Sequence, residues 1–120
     1  MLAPLEHTGQ LDLADQPVEL TPELLVDPAP GHTPGHQVVL IDSGDEHAVI
    51  AGDIANHPVM LLQPGVNGDT DDDPDLAAST RATMLERIGR EERVVMTAHL
   101  PQPFGRFVPD GSRHLWVPTG

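Results

Sequence analysis

The chain has 120 residues, of which 19 are acidic and 6 are basic, so its formal net charge is −13. This length corresponds to one domain at most, and the charge disfavours a nucleic-acid or anionic-membrane partner, which needs a clustered basic surface. The absence of cysteine excludes disulfides, thiolate metal ligands and a cysteine nucleophile. Any metal ion would therefore be held by histidine and carboxylate groups.

Neither a targeting signal nor a membrane span is expected. The first residues lack a positively charged region, and the longest aliphatic run, residues 38–41, is far shorter than the ~20 residues of a transmembrane helix. We therefore expect a soluble, cytoplasmic protein.

The first half of the sequence predicts short strands and turns, because prolines and glycines recur throughout it and helix is not expected before residue 58. The predicted elements are extended segments at 17–20 and 23–26, a Gly/Pro loop at 31–36, and a hairpin of strands 37–41 and 48–51 around the turn 43–46.

The second half predicts one long helix. Asp73 provides an N-cap and Pro74 the first helical residue, and the helix is expected to end at Ile88 with Gly89 closing it. Arg81 lies in the apolar stripe of this helix, where its side chain either extends to the surface or pairs with a buried carboxylate. A strand at 94–96 and a hairpin at 109–111 complete a mixed α/β pattern in which strands dominate.

The acidic run 69–75 invites comparison with a calcium-binding loop. It does not fit the EF-hand pattern, because Pro74 stands where glycine is required and Thr80 stands where glutamate is required. We therefore expect a solvated acidic loop that caps the following helix.

Three candidate metal ligands lie near the ends of predicted strands. Asp53 and His99 follow apolar strands, and His36 lies in the loop that precedes one. Such side chains can converge at one edge of a sheet, and imidazole with carboxylate suits Zn²⁺, Mn²⁺ or Fe²⁺. The three residues are therefore either half of a dinuclear site or an accidental arrangement among the seven histidines of the sequence.

The motifs around these residues resemble those of the metallo-β-lactamase-fold hydrolases. Residues 30–36, PGHTPGH, are similar to the third metal motif of the family, and Gly52-Asp53 and residues 97–101, TAHLP, are similar to the fourth and fifth. Similarity to the branch that contains lactonases and methyl parathion hydrolase extends over Asn56-His57-Pro58, Asp71, Asp73-Pro74, Thr80-Arg81 and residues 104–116.

This resemblance implies a centre with two divalent ions, zinc being expected and manganese or iron being alternatives. It implies that His36 binds the first ion, that Asp53 bridges both ions and that His99 binds the second. By the same resemblance, His32 orients its loop without touching metal. His57 and Arg81 would lie around the pocket, although His57 could instead merely pack beside Pro58.

The resemblance also implies that residues 1–120 are a single partial domain, the C-terminal half of an αββα sandwich. The N-terminal motif of the family, HxHxDH, does not occur in this sequence, so the aspartate beside the attacking water is missing and no catalytic residue is assigned. Each ion would keep two protein ligands, whereas a tight site needs three or four.

Two functions are therefore expected as alternatives. The first is a truncated or split hydrolase of esters, lactones or phosphoesters, which acts on a small-molecule substrate once an N-terminal half chain completes it. The second is a non-catalytic remnant or a small homo-oligomerising module that has no working metal site.

Overall fold

The structure is a computed structural model that describes residues 3–110 and 113–119. Its elements are α1 (Ala3–His7), β1 (Val18–Thr21), β2 (Leu24–Pro28), β3 (Gln37–Ser43), β4 (Glu46–Gly52), α2 (Pro58–Leu62), α3 (Pro74–Arg90), β5 (Val94–Thr97), β6 (Phe104–Asp110) and β7 (Arg113–Pro118). The strands form one mixed sheet in the order β1 to β7. This arrangement confirms the predicted mixed sheet with hairpins and one main helix.

The parallel pair β4 and β5 determines where side chains can converge. All other neighbouring strands are antiparallel, whereas β4 and β5 are joined by a crossover that contains α2 and α3. Because the two strands run in the same direction, their carboxyl ends lie at one edge of the sheet. Gly52 pairs with Thr97 there, so the residues that follow each strand start from adjacent positions.

The predicted hairpin β3–β4 is confirmed and forms the centre of the sheet. Leu40 pairs with Val49, and Val49 pairs with Val95 on β5, so the three side chains lie in one buried row. The turn between the strands contains Gly44 at φ 61°, a left-handed conformation that glycine adopts without strain.

Helix α3 packs against the face of the sheet that carries this buried row. It begins as predicted, because the Asp73 side chain accepts a hydrogen bond of 3.0 Å from the Leu76 N–H. It ends at Arg90 rather than Ile88. Gly89 is a buried residue inside the helix instead of its closing residue, and Glu92, at φ 52°, takes the left-handed position beyond the end.

The expectation of no helix before residue 58 is wrong, because α1 is a short helix. Its Pro4 lies in the first turn, where a backbone N–H is not required, and Thr8 Oγ1 donates a hydrogen bond of 2.9 Å to the Pro4 carbonyl. Every residue of α1 is exposed, so it adds nothing to the core.

None of the helices within residues 3–110 and 113–119 has the length and hydrophobicity that a membrane span requires. The last hairpin is confirmed as β6–β7, although its Gly111 lies outside the described residues.

The opposite face of the sheet is also apolar. A continuous cross-strand row on this face consists of Val26, Val39, Ile50, Met96 and Phe104. Ile50 and Phe104 are 44% and 47% exposed. We call these five residues the open apolar row, because α3 covers only the other face.

Candidate functional site

The side chains of Asp53 and His99 meet at the carboxyl edge of the parallel strand pair. His99 Nε2 lies 2.8 Å from Asp53 Oδ1. The segments that carry them are tied by a hydrogen bond of 3.4 Å from the Ala98 N–H to the Gly52 carbonyl. The topology that makes β4 and β5 parallel therefore brings these two sequence-predicted residues together.

His32 approaches the same carboxylate from the other side. Its Nε2 lies 3.7 Å from Asp53 Oδ2, so each carboxylate oxygen faces one imidazole Nε2. The His32 side chain is largely covered, whereas that of His99 is 59% exposed. The cluster of His32, Asp53 and His99, which we call the edge cluster, is therefore open to solvent on the His99 side.

The edge cluster has the donor chemistry of a zinc site. Asp53 Oδ1 is buried and has no hydrogen-bond partner among the described residues, because the short contact with His99 Nε2 lacks hydrogen-bond geometry. A buried carboxylate oxygen without a partner is costly, and a cation between the two groups would remove that cost. Imidazole nitrogen and carboxylate oxygen are both zinc ligands.

The number of ligands is lower than the chemistry requires. Within residues 3–110 and 113–119, no group of three or more His, Asp or Glu side chains is gathered closely enough to hold an ion. The residues therefore fit zinc by type, while a closed structural or catalytic site needs further ligands.

His36 is placed differently from the sequence-based expectation. Its Nδ1 lies 3.0 Å from the Ala29 carbonyl, and its Nε2 accepts a hydrogen bond of 3.0 Å from the backbone N–H of Asp53. A Cβ at Gly52, where φ is 54°, would lie 2.9 Å from that Nε2, so the backbone closes this side of the ring. Both ring nitrogens are thus engaged by the backbone, and His36 has none free to face the Asp53 carboxylate.

Asp71, expected in a solvated acidic loop, instead has a buried side chain behind the edge cluster. Its side chain is 2% exposed, and its Oδ1 lies 3.0 Å from Nδ1 of His32. Its Oδ2 accepts a hydrogen bond from the Gly68 N–H at 3.3 Å. The motif resemblance marked Asp71, but the composition of its segment did not indicate burial, because its neighbours Asp72 and Asp73 are exposed.

Arg81 is buried and pairs with Asp71, which decides between the two alternatives for its side chain. The Arg81 side chain is 1% exposed, and its Nη2 lies 3.5 Å from Asp71 Oδ2. Nε donates to the Ile54 carbonyl at 2.6 Å, and Nη1 donates to the carbonyls of Pro64 and Val66 at 2.7 and 2.8 Å. Burial lowers the pKa of the Arg81 guanidinium and Asp71 opposes that effect, so arginine remains charged at neutral pH.

His57 lies at the start of α2 as its N-cap. The side chain is exposed, and its Nδ1 accepts a hydrogen bond of 3.1 Å from the Val59 N–H. The residue therefore caps the start of a short helix, and its role at a pocket stays a prediction.

Comparison with known proteins gives matches among solved structures alone. No protein-family model matches the sequence, and no curated protein matches it. AidC, a dizinc quorum-quenching lactonase, has a TM-score of 0.82 and 26% identity, with 94% of this chain and 39% of AidC covered. The hydrolase AbOPH of the β-lactamase superfamily has a TM-score of 0.80 and 26% identity, with 99% of this chain and 42% of AbOPH covered.

A third match has lower identity and shows the fold alone. It is a probable metal-dependent hydrolase from Staphylococcus aureus, with a TM-score of 0.80, 20% identity, and coverage of 95% of this chain and 42% of that protein. The chain thus spans about two fifths of the length of these three structures.

Proposed function

The chain has the fold of the metallo-β-lactamase superfamily, whose hydrolases are its structural neighbours, and on this basis we propose that it forms part of a metal-dependent hydrolase site. The fold agrees with the resemblance of its motifs. The proposed substrates are small molecules with an ester, lactone or phosphoester bond. The observation that carries the proposal is the edge cluster, in which each oxygen of Asp53 faces an imidazole nitrogen.

We assign the metal-binding role to His32, Asp53 and His99. This assignment differs from the sequence-based one, which gave the role to His36 and only an orienting role to His32. The reason is that a metal ligand needs a free lone pair. His32 Nε2 has one, whereas both ring nitrogens of His36 are engaged by backbone groups. His36 then acts by tying its loop to the backbone of Asp53.

Each residue of the edge cluster has a distinct part in the proposed site. Asp53 lies between the two imidazoles and is the carboxylate that two ions could share. His99 stands on the exposed side, where a substrate can approach. When bound, zinc acts as a Lewis acid toward the substrate oxygen and lowers the pKa of a water molecule.

We further propose that the remaining ligands come from outside these 120 residues. No HxHxDH sequence occurs in the chain, so its own histidines and carboxylates leave each ion with too few ligands for tight binding. The missing group could belong to a longer polypeptide that contains this chain or to a separate one. Alone, the chain should bind zinc weakly and hydrolyse little.

A non-catalytic oligomerising module is the second candidate function. The open apolar row favours it, because an exposed apolar sheet face can pair with another protein surface. The two candidates differ in their requirement for metal: a hydrolase part needs zinc bound through Asp53, whereas an oligomerising module does not.

The test compares the chain alone with the chain combined with the part of AidC that this chain does not match. Zinc content and hydrolysis of an acyl-homoserine lactone and a phosphotriester are measured for both. We expect activity in the combined form alone, lost in Asp53→Asn and kept in the exposed-acid control Asp69→Asn. Combined protein that takes up no zinc, or activity that is equal in Asp53→Asn, would contradict the proposal.

A further inference from the structure

Two buried arginines lie at opposite ends of the parallel strand pair. Arg81 lies behind the edge cluster, at the carboxyl ends of β4 and β5, and Arg93 directly precedes β5 at the other end. Both donate hydrogen bonds to backbone carbonyls and pair with a carboxylate. The chain therefore contains a natural pair for comparison, similar in burial and bonding but different in location.

Arg81 contacts the neighbours of two members of the edge cluster, Asp53 and His32. Its Nε donates at 2.6 Å to the carbonyl of Ile54, the residue that follows Asp53. Its Nη2 lies 3.5 Å from Asp71 Oδ2, and the other oxygen of Asp71 lies 3.0 Å from His32 Nδ1. One guanidinium thus contacts the backbone beside one candidate ligand and the carboxylate behind another.

These contacts require the geometry of arginine. Its planar group directs several N–H donors in fixed directions, and here they reach the Pro64 and Val66 carbonyls of the 63–71 loop as well as Asp71. A lysine carries the same charge but cannot reach these acceptors together. The position of the loop, and with it the position of Asp71, consequently depends on the guanidinium.

The contact from Asp71 determines which ring nitrogen of His32 carries the proton. A carboxylate accepts hydrogen bonds, so a neutral His32 beside Asp71 Oδ1 holds its proton on Nδ1. Its Nε2 then keeps a free lone pair, and this is the nitrogen that faces Asp53. Asp71 therefore leaves Nε2 of His32 free to bind a metal ion. Its side chain forms hydrogen bonds or ion pairs with His32, Gly68 and Arg81.

We propose that Arg81 and Asp71 are positioning residues that hold His32 in the Nδ1–H form with Nε2 directed toward Asp53. The proposal rests on the proposed function for the identity of the ligand as zinc. The ring orientation itself belongs to the chain without metal, so the two can be tested separately.

The first experiment records the nitrogen NMR signals of the histidine rings in the ¹⁵N-labelled, metal-free full chain at about pH 8, above the ordinary imidazole pKa of ~6.5. We expect the proton of His32 on Nδ1 in the parent chain. In Asp71→Ala, which removes the acceptor, and in Arg81→Lys, the signals should shift to the tautomer mixture of a free histidine. Arg93→Lys is the matched control and should leave His32 unchanged.

Each outcome bears on the proposal. A proton on Nε2 in the parent chain overturns it, and so does an unchanged His32 in a folded Asp71→Ala variant. Equal shifts in Arg81→Lys and Arg93→Lys would mean a general loss of order and would also overturn it. If Arg81→Lys does not fold, Asp71→Ala decides alone.

In the second experiment, zinc is titrated into the same variants, and the affinity and the amount of zinc bound per folded molecule are measured. Asp71→Ala should weaken zinc binding by about 10–100-fold, as is typical when the partner of a histidine ligand is removed. Arg93→Lys should bind as the parent does. A parent chain that binds no zinc would refute the proposed function, while the NMR result would still decide the role of Asp71.

Discussion

At position 31 a glycine is required by two separate constraints. Its φ is 135°, which other residues rarely adopt, and a Cβ there would overlap the backbone of Ala77 in α3. The carbonyl of Gly31 also accepts the N–H of Asp73 at 3.0 Å, which fixes the loop against the start of the helix. The close approach of loop and helix therefore depends on a missing side chain.

We predict that Gly31→Ala lowers the free energy of unfolding by roughly 1–3 kcal/mol or more, because loop and helix must separate. Gly35→Ala is the matched control in the same loop, since a Cβ there meets no atom within 4 Å and its φ is not in the left-handed region. Urea denaturation measures both. Equal stability of the two variants would contradict the prediction.

The two histidines of this loop should respond differently to removal. His32→Ala is expected to abolish zinc binding, because its ring belongs to the edge cluster, and also to lower stability, because it leaves buried Asp71 Oδ1 without its partner. His36→Ala is expected to destabilise the chain, because it leaves the Asp53 N–H and the Ala29 carbonyl without their partner. Urea denaturation measures the stability of both variants, and zinc titration separates their roles: zinc binding lost in a folded His36→Ala variant but kept in His32→Ala would restore the assignment of His36 as ligand.

The sequence predicted that Asp53 and His99 lie at one sheet edge, but it assigned the loop ligand to His36, whereas His32 is the loop histidine whose Nε2 faces the Asp53 carboxylate. Asp53 and His99 follow strands that the apolar pattern identifies, so the sheet edge was predictable. The two loop histidines are only four residues apart, and which ring faces the carboxylate depends on the path of the loop backbone. Burial of Asp71 was hidden for a similar reason, because its partners His32 and Arg81 are 39 and 10 residues away in sequence.

Among the secondary-structure elements, the amino ends of β4 and β5 are held by Arg93. It donates to the carbonyls of Ile41 and Ala48 at 3.2 and 3.1 Å and pairs with Asp42 at 2.9 Å and Glu91 at 2.5 Å. The hydrogen bond from Arg93 lowers the pKa of Asp42 below its ordinary 3.8. Burial raises the pKa of Glu91, but hydrogen bonds from Arg93 and Arg87 outweigh this and lower it below its ordinary 4.5.

These lowered pKa values predict a stability that depends on acid pH. The contribution of each carboxylate is fully present above its unfolded-state pKa and is lost as the pH falls through its lower folded-state pKa. The stability difference between the parent and Arg93→Met should therefore shrink between about pH 5 and about pH 2. Asp42 is 44% exposed, so solvent screening keeps its share small.

Urea midpoints of both proteins across this range provide the measurement. Arg90→Met is the control, because Arg90 is exposed and lies 3.9 Å from Glu91. A difference between parent and Arg93→Met that is constant with pH would contradict the assignment.

Helix α3 shows which element boundaries the sequence specifies. Its start was predictable, because an Asp-Pro pair satisfies the first N–H groups and preorganises the first turn. Its end was not, because a glycine near a helix end can either close the helix or allow close packing. Gly89 is buried inside the helix and does not close it, and the sequence around it does not indicate that burial.

For the whole molecule, the open apolar row predicts self-association of the isolated chain. Like charges oppose contact between copies, since the net charge is −13, so association should strengthen with salt. Ile50→Thr, which keeps a β-branched residue in β4, should weaken association, as should Phe104→Thr. Leu13→Thr is the control, because Leu13 is 84% exposed but lies outside the sheet.

Sedimentation velocity at several protein and salt concentrations measures this association. A parent chain that is monomeric throughout, or an equal effect of Leu13→Thr, would show that the open apolar row does not drive it.

The central claim is that Asp53 holds zinc with His32 and His99, and calorimetric zinc titration of the full chain tests it most directly. The parent chain should bind zinc weakly, Asp53→Asn should not bind it, and the exposed-acid control Asp72→Asn should bind as the parent does. Binding that survives Asp53→Asn would contradict the claim. Tight binding of two ions by the parent chain would instead refute the inference that ligands from outside these residues are needed.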